Sequence, residues 1–436
     1  MARRRTRVPL KVWLNGRLVG QLRRAASGAI DFQYDPSWLA WEHTFAVSLS
    51  LPLREDRYIG DPVIAVFDNL LPDNDEIRRR IAAELHADGI DAYSLLSTIG
   101  RDCIGALQFL PDGTEPGPAG VVAGDRIDDG GIAKRLSSLE STPLGLIEDE
   151  DFRISLAGVQ DKMALLYWNG AWYIPHGSTP TTHILKPQIG RRGGLDLSQS
   201  VENEHFCMRL LSALDVPVAL THMADFAGQR ALVVERFDRR WTQDNRLLRL
   251  PQEDCCQALS IPPTRKYESD GGPGIAEILE FLKGSDDPER DQALFLRAQI
   301  AYWLMGATDG HAKDFSVFLY PGGGFRSTPL YDVVSTQPLL ETGQLRRNQM
   351  RLAMAVGDNR RYRVHDILPR HFVQTAGRAG MPEETVKEIL GDLYERMPEA
   401  IQAVCDNLPD DFPDALRDAI IGGVERRLER IGNAAP

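Results

Sequence analysis

Residues 306–336 read G-A-T-D-G-H-A-K-D-F-S-V-F-L-Y-P-G-G-G-F-R-S-T-P-L-Y-D-V-V-S-T. Two apolar, alternating runs, Phe315 to Tyr320 and Phe325 to Tyr331, flank Pro321-Gly322-Gly323-Gly324. This pattern predicts a β-hairpin with a glycine-rich turn. With Tyr320 paired near Phe325, Asp314 at the foot of one strand comes within about one residue of Asp332 at the foot of the other. Asp309, His311 and Lys313 lie on the loop leading in. Carboxylates gathered at the open end of a hairpin make an oxygen-rich pocket suited to Mg²⁺. An Asp followed by a metal ligand and then by a second metal-binding Asp is also the order used in phosphoryl transfer. The plainer reading makes Asp309 and Asp314 solvated turn residues.

Upstream, the stretch from Phe152 to Phe237 reads as a β-rich lobe. Strands are predicted at Phe152 to Leu156, Met163 to Trp168, Ala171 to Ile174, His183 to Lys186 and Arg230 to Phe237, with Asn169-Gly170 as a tight turn. A helix is predicted from about Ser200 to Leu214, with Ser198 or Ser200 as its N-cap. Helices follow at Ile275 to Leu282, Asp291 to Met305, Glu383 to Asn407 with a break near Pro398, and Ala415 to Ile431. The expected architecture is therefore α+β and two-lobed, β-rich first and helical second.

Several features of the β-rich lobe suit a nucleotide. The stretch Ser155-Leu156-Ala157-Gly158-Val159-Gln160-Asp161-Lys162 is predicted to join two strands, and its small residues let backbone N–H groups approach phosphate oxygens. It is neither G-x-G-x-x-G nor a Walker A sequence, and an ordinary hairpin turn is the alternative. Ser155 opens the loop, which leaves its hydroxyl exposed on this reading. Lys186 ends an apolar strand and suits phosphate pairing with a helix carboxylate; surface placement is the alternative. Glu202 and Glu204 both offer that carboxylate, and Glu204 lies closer to the apolar face of Val201, Met208 and Leu211. Val233 to Asp238 reads as a lobe-crossing strand whose backbone holds an adenine edge with Phe237 near the base, or as a strand end followed by a solvated charge cluster.

The N-terminal portion opens on a hairpin signal, Leu10 to Val19 around Asn15-Gly16. A helix is predicted from Asp75 to Leu85, its acids and arginines alternating as on a solvated face. Residues 111–131 are rich in Gly, Pro and Asp, as in a linker. The expected division is 1–110 as an α+β subdomain, 111–150 as a connecting segment, 151–240 as the nucleotide-binding lobe and 241–436 as the helical catalytic lobe. With 436 residues and a net charge of −12, the chain does not coat nucleic acid through bulk charge, although Arg3-Arg4-Arg5 and Arg7 form a local basic patch. Lys11, Asn15 and Arg17 interrupt any secretory apolar core, and no stretch is long enough to span a membrane. Cys103, Cys207, Cys255, Cys256 and Cys405 lack metal-ligand spacing and read as reduced thiols, which makes a cytoplasmic location the expectation.

Taken together, F-R-I-S-L-A-G-V-Q-D-K-M-A-L-L, T-H-I-L-K-P, L-S-Q-S-V-E-N-E, V-E-R-F-D-R, Q-E-D-C-C-Q-A-L, K-Y-E-S-D-G-G-P-G, the D-G-H-A-K segment and Y-D-V-V-S resemble the HipA family. So do W-L-N-G-R-L-V-G, F-D-N-L-L-P-D and I-G-R-D-C-I-G-A near the N-terminus. These are the kinase toxins of HipB–HipA toxin–antitoxin pairs, and the resemblance spans essentially the whole chain. It implies a serine/threonine-protein kinase with Asp309 as catalytic base, Asp332 and Asp314 as Mg²⁺ ligands and Lys186 on the ATP phosphates. Ala157, Gly158, Val159, Gln160, Asp161 and Lys162 would cover those phosphates. Glu235 and Phe237 would hold adenine, with His311 and Lys313 also on the ATP-binding side.

Ser155 would be a regulatory autophosphorylation site, where nearly two added negative charges expel the loop and switch the enzyme off. The implied substrate is an aminoacyl-tRNA synthetase, typically the glutamyl enzyme, whose inactivation arrests growth and gives persistence. The implied partner is a small helix-turn-helix antitoxin that represses the shared operon by binding operator DNA. One position departs from the family pattern D-G-H-A-K-N: Asp314 stands where Asn is expected. A lipid or small-molecule kinase, a non-catalytic antitoxin-binding repressor subunit and a phosphate-binding structural protein are the alternatives. The lack of a basic amphipathic helix weighs against a lipid substrate.

Overall fold

The computed structural model describes residues 8–146, 153–158 and 160–433. The basic run Arg3 to Arg7, Phe152 and Val159 lie outside the described residues. The chain forms two compact units. The first comprises Met1–Pro187, Ala224–Thr264 and Val317–Gly324, and the second Gln188–Met223, Arg265–Ser316 and Phe325–Pro436.

The first unit begins with the predicted hairpin. Leu10–Leu14 pairs antiparallel with Arg17–Arg24, and Asn15 (φ 46°) and Gly16 (φ 80°) supply the two positive-φ positions of the turn. Ile30–Tyr34, Tyr58–Ile59 and Leu107–Pro111 complete a five-stranded antiparallel sheet. Phe67, on the helix Asp61–Asp68, lies 5.3 Å from Phe32 and 5.5 Å from Phe109, closing helix onto sheet. Burial of such a ring stabilises by about 2–3 kcal/mol.

A second sheet pairs Gln229–Glu235, His183–Pro187, Met163–Trp168, Ala171–Pro175 and Gly124–Ile127 in that order, all antiparallel. The helix Asp129–Ser137 covers one face, burying Ile132 and Leu136 against Met163, Leu165, Leu185 and Val233. Within 111–150, then, Gly124–Ile127 and Asp129–Ser137 are a strand and a helix. The predicted strand Phe152 to Leu156 is corrected over its described part: 153–157 run irregularly, and Gly158 makes an isolated bridge with Pro72. The predicted solvated helix face is also corrected, because Arg78 of Asp75–Glu84 is buried. Its Nη1 donates to Asp68 Oδ1 at 2.7 Å and its Nε to the Pro72 carbonyl at 2.5 Å.

The second unit is mainly helical: Ser200–Ala213, Ile275–Leu282, Pro288–Met305, Pro369–Arg378, Glu383–Cys405 and Asp414–Gly432. Trp303 packs 5.6 Å from Phe372, and Phe206 lies 6.0 Å from Phe412. Two local predictions fail for identifiable reasons. The helix Ser200–Ala213 has Gln199 at its N-cap without a side-chain bond, because the Ser200 hydroxyl instead accepts the Ile189 N–H at 2.9 Å. Glu383–Cys405 also runs unbroken through Pro398. Met397 and Ala400 beside the proline are buried, and that packing outweighs the roughly 3 kcal/mol an interior proline costs.

Candidate active site

The helix Pro288–Met305 ends where Gly306 turns left-handed at φ 69°, and a Cβ there would stand 2.2 Å from Met350 Cε. The chain then enters the loop carrying Asp309. Gly310 follows because a Cβ would meet the Tyr302 ring at 2.5 Å. Asp309 is exposed, and its Oδ1 accepts the Tyr267 hydroxyl at 2.5 Å. The Tyr267 ring also stands edge-on to His311 with centroids 5.0 Å apart. The Ala312 N–H donates to the Lys266 carbonyl at 3.2 Å, so the segment beginning Lys266-Tyr267 braces the loop from outside.

Asp314 is buried. Its Oδ2 accepts the His311 backbone N–H at 3.0 Å and lies 2.8 Å from His311 Nδ1. Burial raises the Asp314 pKa to about 6; His311 opposes that rise, while Asp309 and Asp332 add to it. The solvated-turn reading therefore holds for Asp309 but not for Asp314. Asp332 is exposed and sits at φ 61°, a left-handed conformation uncommon for a residue with a side chain and a frequent mark of functional positions. Tyr331 beside it donates to the Lys313 carbonyl at 2.7 Å, tying the two chain segments together.

The predicted hairpin is present. Tyr320 N donates to Gly324 O at 2.9 Å, and Thr328 N donates to Ser316 O at 2.9 Å. Its register places Tyr320 against Gly324 rather than Phe325. The ladder does not continue to the two acids: Leu330 instead forms a parallel bridge with Val218. Closure beyond that point comes from an Ala307–Ser335 bridge and from Asn203 on the helix Ser200–Ala213. Asn203 Nδ2 donates to Ser335 O at 2.8 Å, and its Oδ1 accepts Ser335 N at 2.9 Å. Ser335 Oγ in turn donates to Met305 O at 2.6 Å. The predicted Glu204 is buried, as is Glu202, whose Oε2 accepts Gln188 Nε2 at 2.6 Å.

In the first unit, Ser155 is 0% exposed, which corrects the expected exposed hydroxyl. Its Oγ donates to Leu70 O at 2.7 Å and its N–H to Asp102 O at 2.9 Å. Asp73 N donates to Gly158 O at 3.3 Å, and Arg80 stands 3.8 Å from Asp161. The F-D-N-L-L-P-D stretch and the helix after it thus seat the loop that was read as phosphate-covering. Lys162 Nζ folds back to Ala157 O at 2.6 Å, and Gln160 reaches Pro187 O at 3.4 Å. Lys186 is 6% exposed on His183–Pro187, opposite Leu232, which removes the surface reading. Glu235 is exposed at the end of its strand, and Phe237 stands edge-on to Phe318 with centroids 5.9 Å apart. Lys186 and Glu204 belong to different units.

The residues after Glu235 are not a solvated cluster. Arg236, Asp238, Arg239 and Arg249 are buried around Asp102. Asp102 Oδ1 accepts Arg239 Nη2 and Arg249 Nε, each at 2.9 Å, and Oδ2 accepts Thr181 Oγ1 at 2.9 Å. Burial acts to raise the Asp102 pKa, but Arg239, Arg249 and Arg236 outweigh it and hold the carboxyl far below the usual carboxylate range.

Sequence reading missed four contributors: Tyr267, Asn203, Ser335 and Tyr302. The last has a buried hydroxyl with no partner among the described residues, and burial followed by Asp314 and Asp332 raises its pKa. Tyr267 falls inside K-Y-E-S-D-G-G-P-G, so the signal was present without its geometry. Among the described residues no three His, Cys, Asp or Glu side chains gather as a metal cage. Two carboxylates, with Asp332 adding to the hold of Asp314 on its proton, nevertheless suit Mg²⁺, which binds through one or two carboxylates plus phosphates.

Comparison with known proteins covers nearly the whole chain. Residues 10–110 match the HipA N-terminal domain and 154–401 the HipA-like C-terminal domain. A Sinorhizobium fredii protein, Y4mE, which carries a provisional kinase name, is 36% identical over 413 residues, 94% of either chain. The serine/threonine-protein kinase toxin HipA of Shewanella oneidensis is 27% identical, covering 92% of this chain and 90% of its own. A solved structure of S. oneidensis HipA with HipB and operator DNA superposes with a TM-score of 0.81 at 25% identity, over 97% of this chain and 98% of that one.

Proposed function

The chain belongs to the HipA family of serine/threonine kinase toxins, and on that premise we propose that it transfers the γ-phosphate of ATP to a serine of an aminoacyl-tRNA synthetase, the glutamyl enzyme foremost. The observation that carries this reading is the exposed Asp309, oriented by Tyr267 and followed by the electrostatically linked Asp314 and Asp332.

Asp309 accepts the hydroxyl proton of the target serine while Tyr267 fixes the carboxylate rotamer. Asp332 and the free oxygen of Asp314 would hold Mg²⁺, which when bound offsets charge on the transferred phosphoryl group. Lys186 pairs with ATP phosphates, backbone N–H groups of 157–162 cover them, and the backbone at Glu235 and Phe237 holds adenine. Arrest of translation and persistence follow from loss of the charged tRNA.

Ser155 is the autophosphorylation site in this reading. In the conformation described it is buried, so the segment must leave Leu70 and Asp102 before it can accept phosphate. A phosphate of about −2 charge cannot return to that fully buried seat, where the hydroxyl faces the Leu70 carbonyl oxygen, which leaves the loop out and the enzyme off. A helix-turn-helix antitoxin and, through it, operator DNA are the proposed partners. No helix among the described residues is long and apolar enough to cross a membrane.

The test is ³²P transfer from labelled ATP to purified glutamyl-tRNA synthetase and to the protein itself. Asp309→Asn and Asp332→Ala are expected to lower both by at least about 10²–10⁴-fold. Undiminished labelling in either variant overturns the assignment.

A further inference from the structure

The second unit contains a basic cavity whose lining includes none of the residues given catalytic roles above, although Gln337 and Glu341 follow Asp332 closely in the chain. It has a volume of about 300 Å³ and is lined by Arg347, His365, Arg426, Arg427 and Arg430, with Glu341 as its one carboxylate. Four guanidinium groups facing one carboxylate is an unusual local balance in a chain whose net charge is −12.

Arg427 is the central group and is 6% exposed. Its Nε donates to Leu304 O at 2.8 Å and its Nη1 to Gln337 Oε1 at 2.9 Å. Both acceptors are neutral, and Nη2 has no partner among the described residues. Arg430 likewise donates to neutral carbonyls, His365 O at 2.9 Å and Ile367 O at 3.1 Å. Arg426 pairs with Glu341, which uses up the carboxylate. His365 Nδ1 is a further buried polar atom without a partner among the described residues.

Bonds to the Leu304, His365 and Ile367 carbonyls account for one role of Arg427 and Arg430. They do not explain an unused buried N–H donor, nor why further arginines converge on the same space. Burial first, and then Arg426 and Arg430, lower the Arg427 pKa, as an uncompensated cluster of positive charge requires. A guanidinium edge with open donors matches the oxygens of a phosphate group, and the volume lies at the small end of ligand-sized cavities, roughly 300–1,000 Å³.

We propose that this cavity binds the phosphate or diphosphate group of a small phosphorylated solute. Arg427 donates through Nη2 from the buried end, and Arg347 and Arg430 close over the anion from the exposed end. The site stands apart from the kinase reading: it uses none of the residues given a role in phosphoryl transfer.

The experiment is calorimetric titration of the full chain with inorganic pyrophosphate in magnesium-free chloride buffer. Arg347→Gln, Arg430→Gln and Arg427→Gln are compared with Lys186→Ala. Arg347 is exposed, so its variant tests the proposal even where Arg427→Gln does not fold. Saturable binding weakened about tenfold or more by Arg347→Gln and by Arg430→Gln, with ATP affinity unchanged in both and pyrophosphate affinity retained in Lys186→Ala, is the expected result. Pyrophosphate binding lost in Lys186→Ala but unchanged in the arginine variants overturns it, as does the absence of saturable binding. A random-sequence DNA duplex is titrated in parallel. Duplex binding that depends on Arg347 and Arg430 while pyrophosphate fails to bind also overturns the small-solute site, in favour of a nucleic-acid backbone.

Discussion

Asp314 stands where the family pattern carries an amide, and its surroundings account for a carboxylate there. Oδ2 is engaged twice by His311, so the imidazole offsets part of the charge that burial disfavours. Burial lowers the His311 pKa, but Asp314 outweighs it and the net shift is upward. Because the Asp314 pKa is raised to about 6, its ionised form is gained only as pH rises through that value. Phosphotransfer by the wild type is therefore expected to fall as pH drops below about 6. Asp314→Asn should lose that acid limb and retain turnover within about tenfold, since an amide oxygen still ligates. A pH–rate profile of ³²P transfer by both proteins checks this, and an unchanged acid limb in the variant refutes it. Ser155 yields a second outcome. Ser155→Ala removes the donor to Leu70 O and leaves a buried carbonyl unpaired, costing about 1–3 kcal/mol in urea unfolding. The variant should lose phosphate from this loop in a mass-spectrometric map while still labelling the synthetase.

The helix Ser200–Ala213 shows how much a sequence pattern conveys at the level of one element. Its extent was legible from its apolar spacing, and its acids drew attention as phosphate-lysine partners. The residue between them, Asn203, makes the two bonds that hold Ser335. An asparagine in a helix carries no periodic signal, because what it bonds lies 132 residues away. Asn203→Ala should leave the N–H and carbonyl of Ser335 unpaired, destabilise by roughly 2–4 kcal/mol and lower transfer without altering ATP affinity. Thermal melts alongside kinetics decide this: unchanged kcat in a destabilised protein confines Asn203 to a stabilising role. The hairpin teaches the same lesson in reverse. Alternation and the glycine turn were readable in the chain, yet the final approach of Asp332 depends on Val218, Tyr331 and Ser335.

Across the first unit, Asp102 is the group on which distant segments converge. Arg236, Arg239 and Arg249 all reach it, and Asp238 accepts the Gly105 N–H at 2.7 Å. This ties I-G-R-D-C-I-G-A to V-E-R-F-D-R inside one buried network, whose backbone also carries Ser155 through Asp102 O. Removing the carboxylate charge leaves three buried guanidinium groups under-compensated. Asp102→Asn is accordingly expected to cost about 3–5 kcal/mol, measured by urea unfolding. A loss below about 1 kcal/mol would mean that the arginines find other partners.

The sequence by itself determined the family, the strands Met163–Trp168, Ala171–Pro175, His183–Pro187 and Gln229–Glu235, the long helices of the second unit, the tight turns at Asn15-Gly16 and Asn169-Gly170, and the acids on which phosphoryl transfer is proposed to rest. Those depend on local conformational preference and on short motifs, which are written in consecutive residues. Only the tertiary structure decided that Ser155 is buried rather than exposed and that the arginines after Glu235 are interior rather than solvated. It also decided that Asn203 and Tyr267 brace the loop and that Arg427 faces a basic cavity. Each of these turns on which groups meet after the chain closes on itself. A charged or polar side chain is stable inside only when remote partners satisfy it, and no local pattern records where those partners come from.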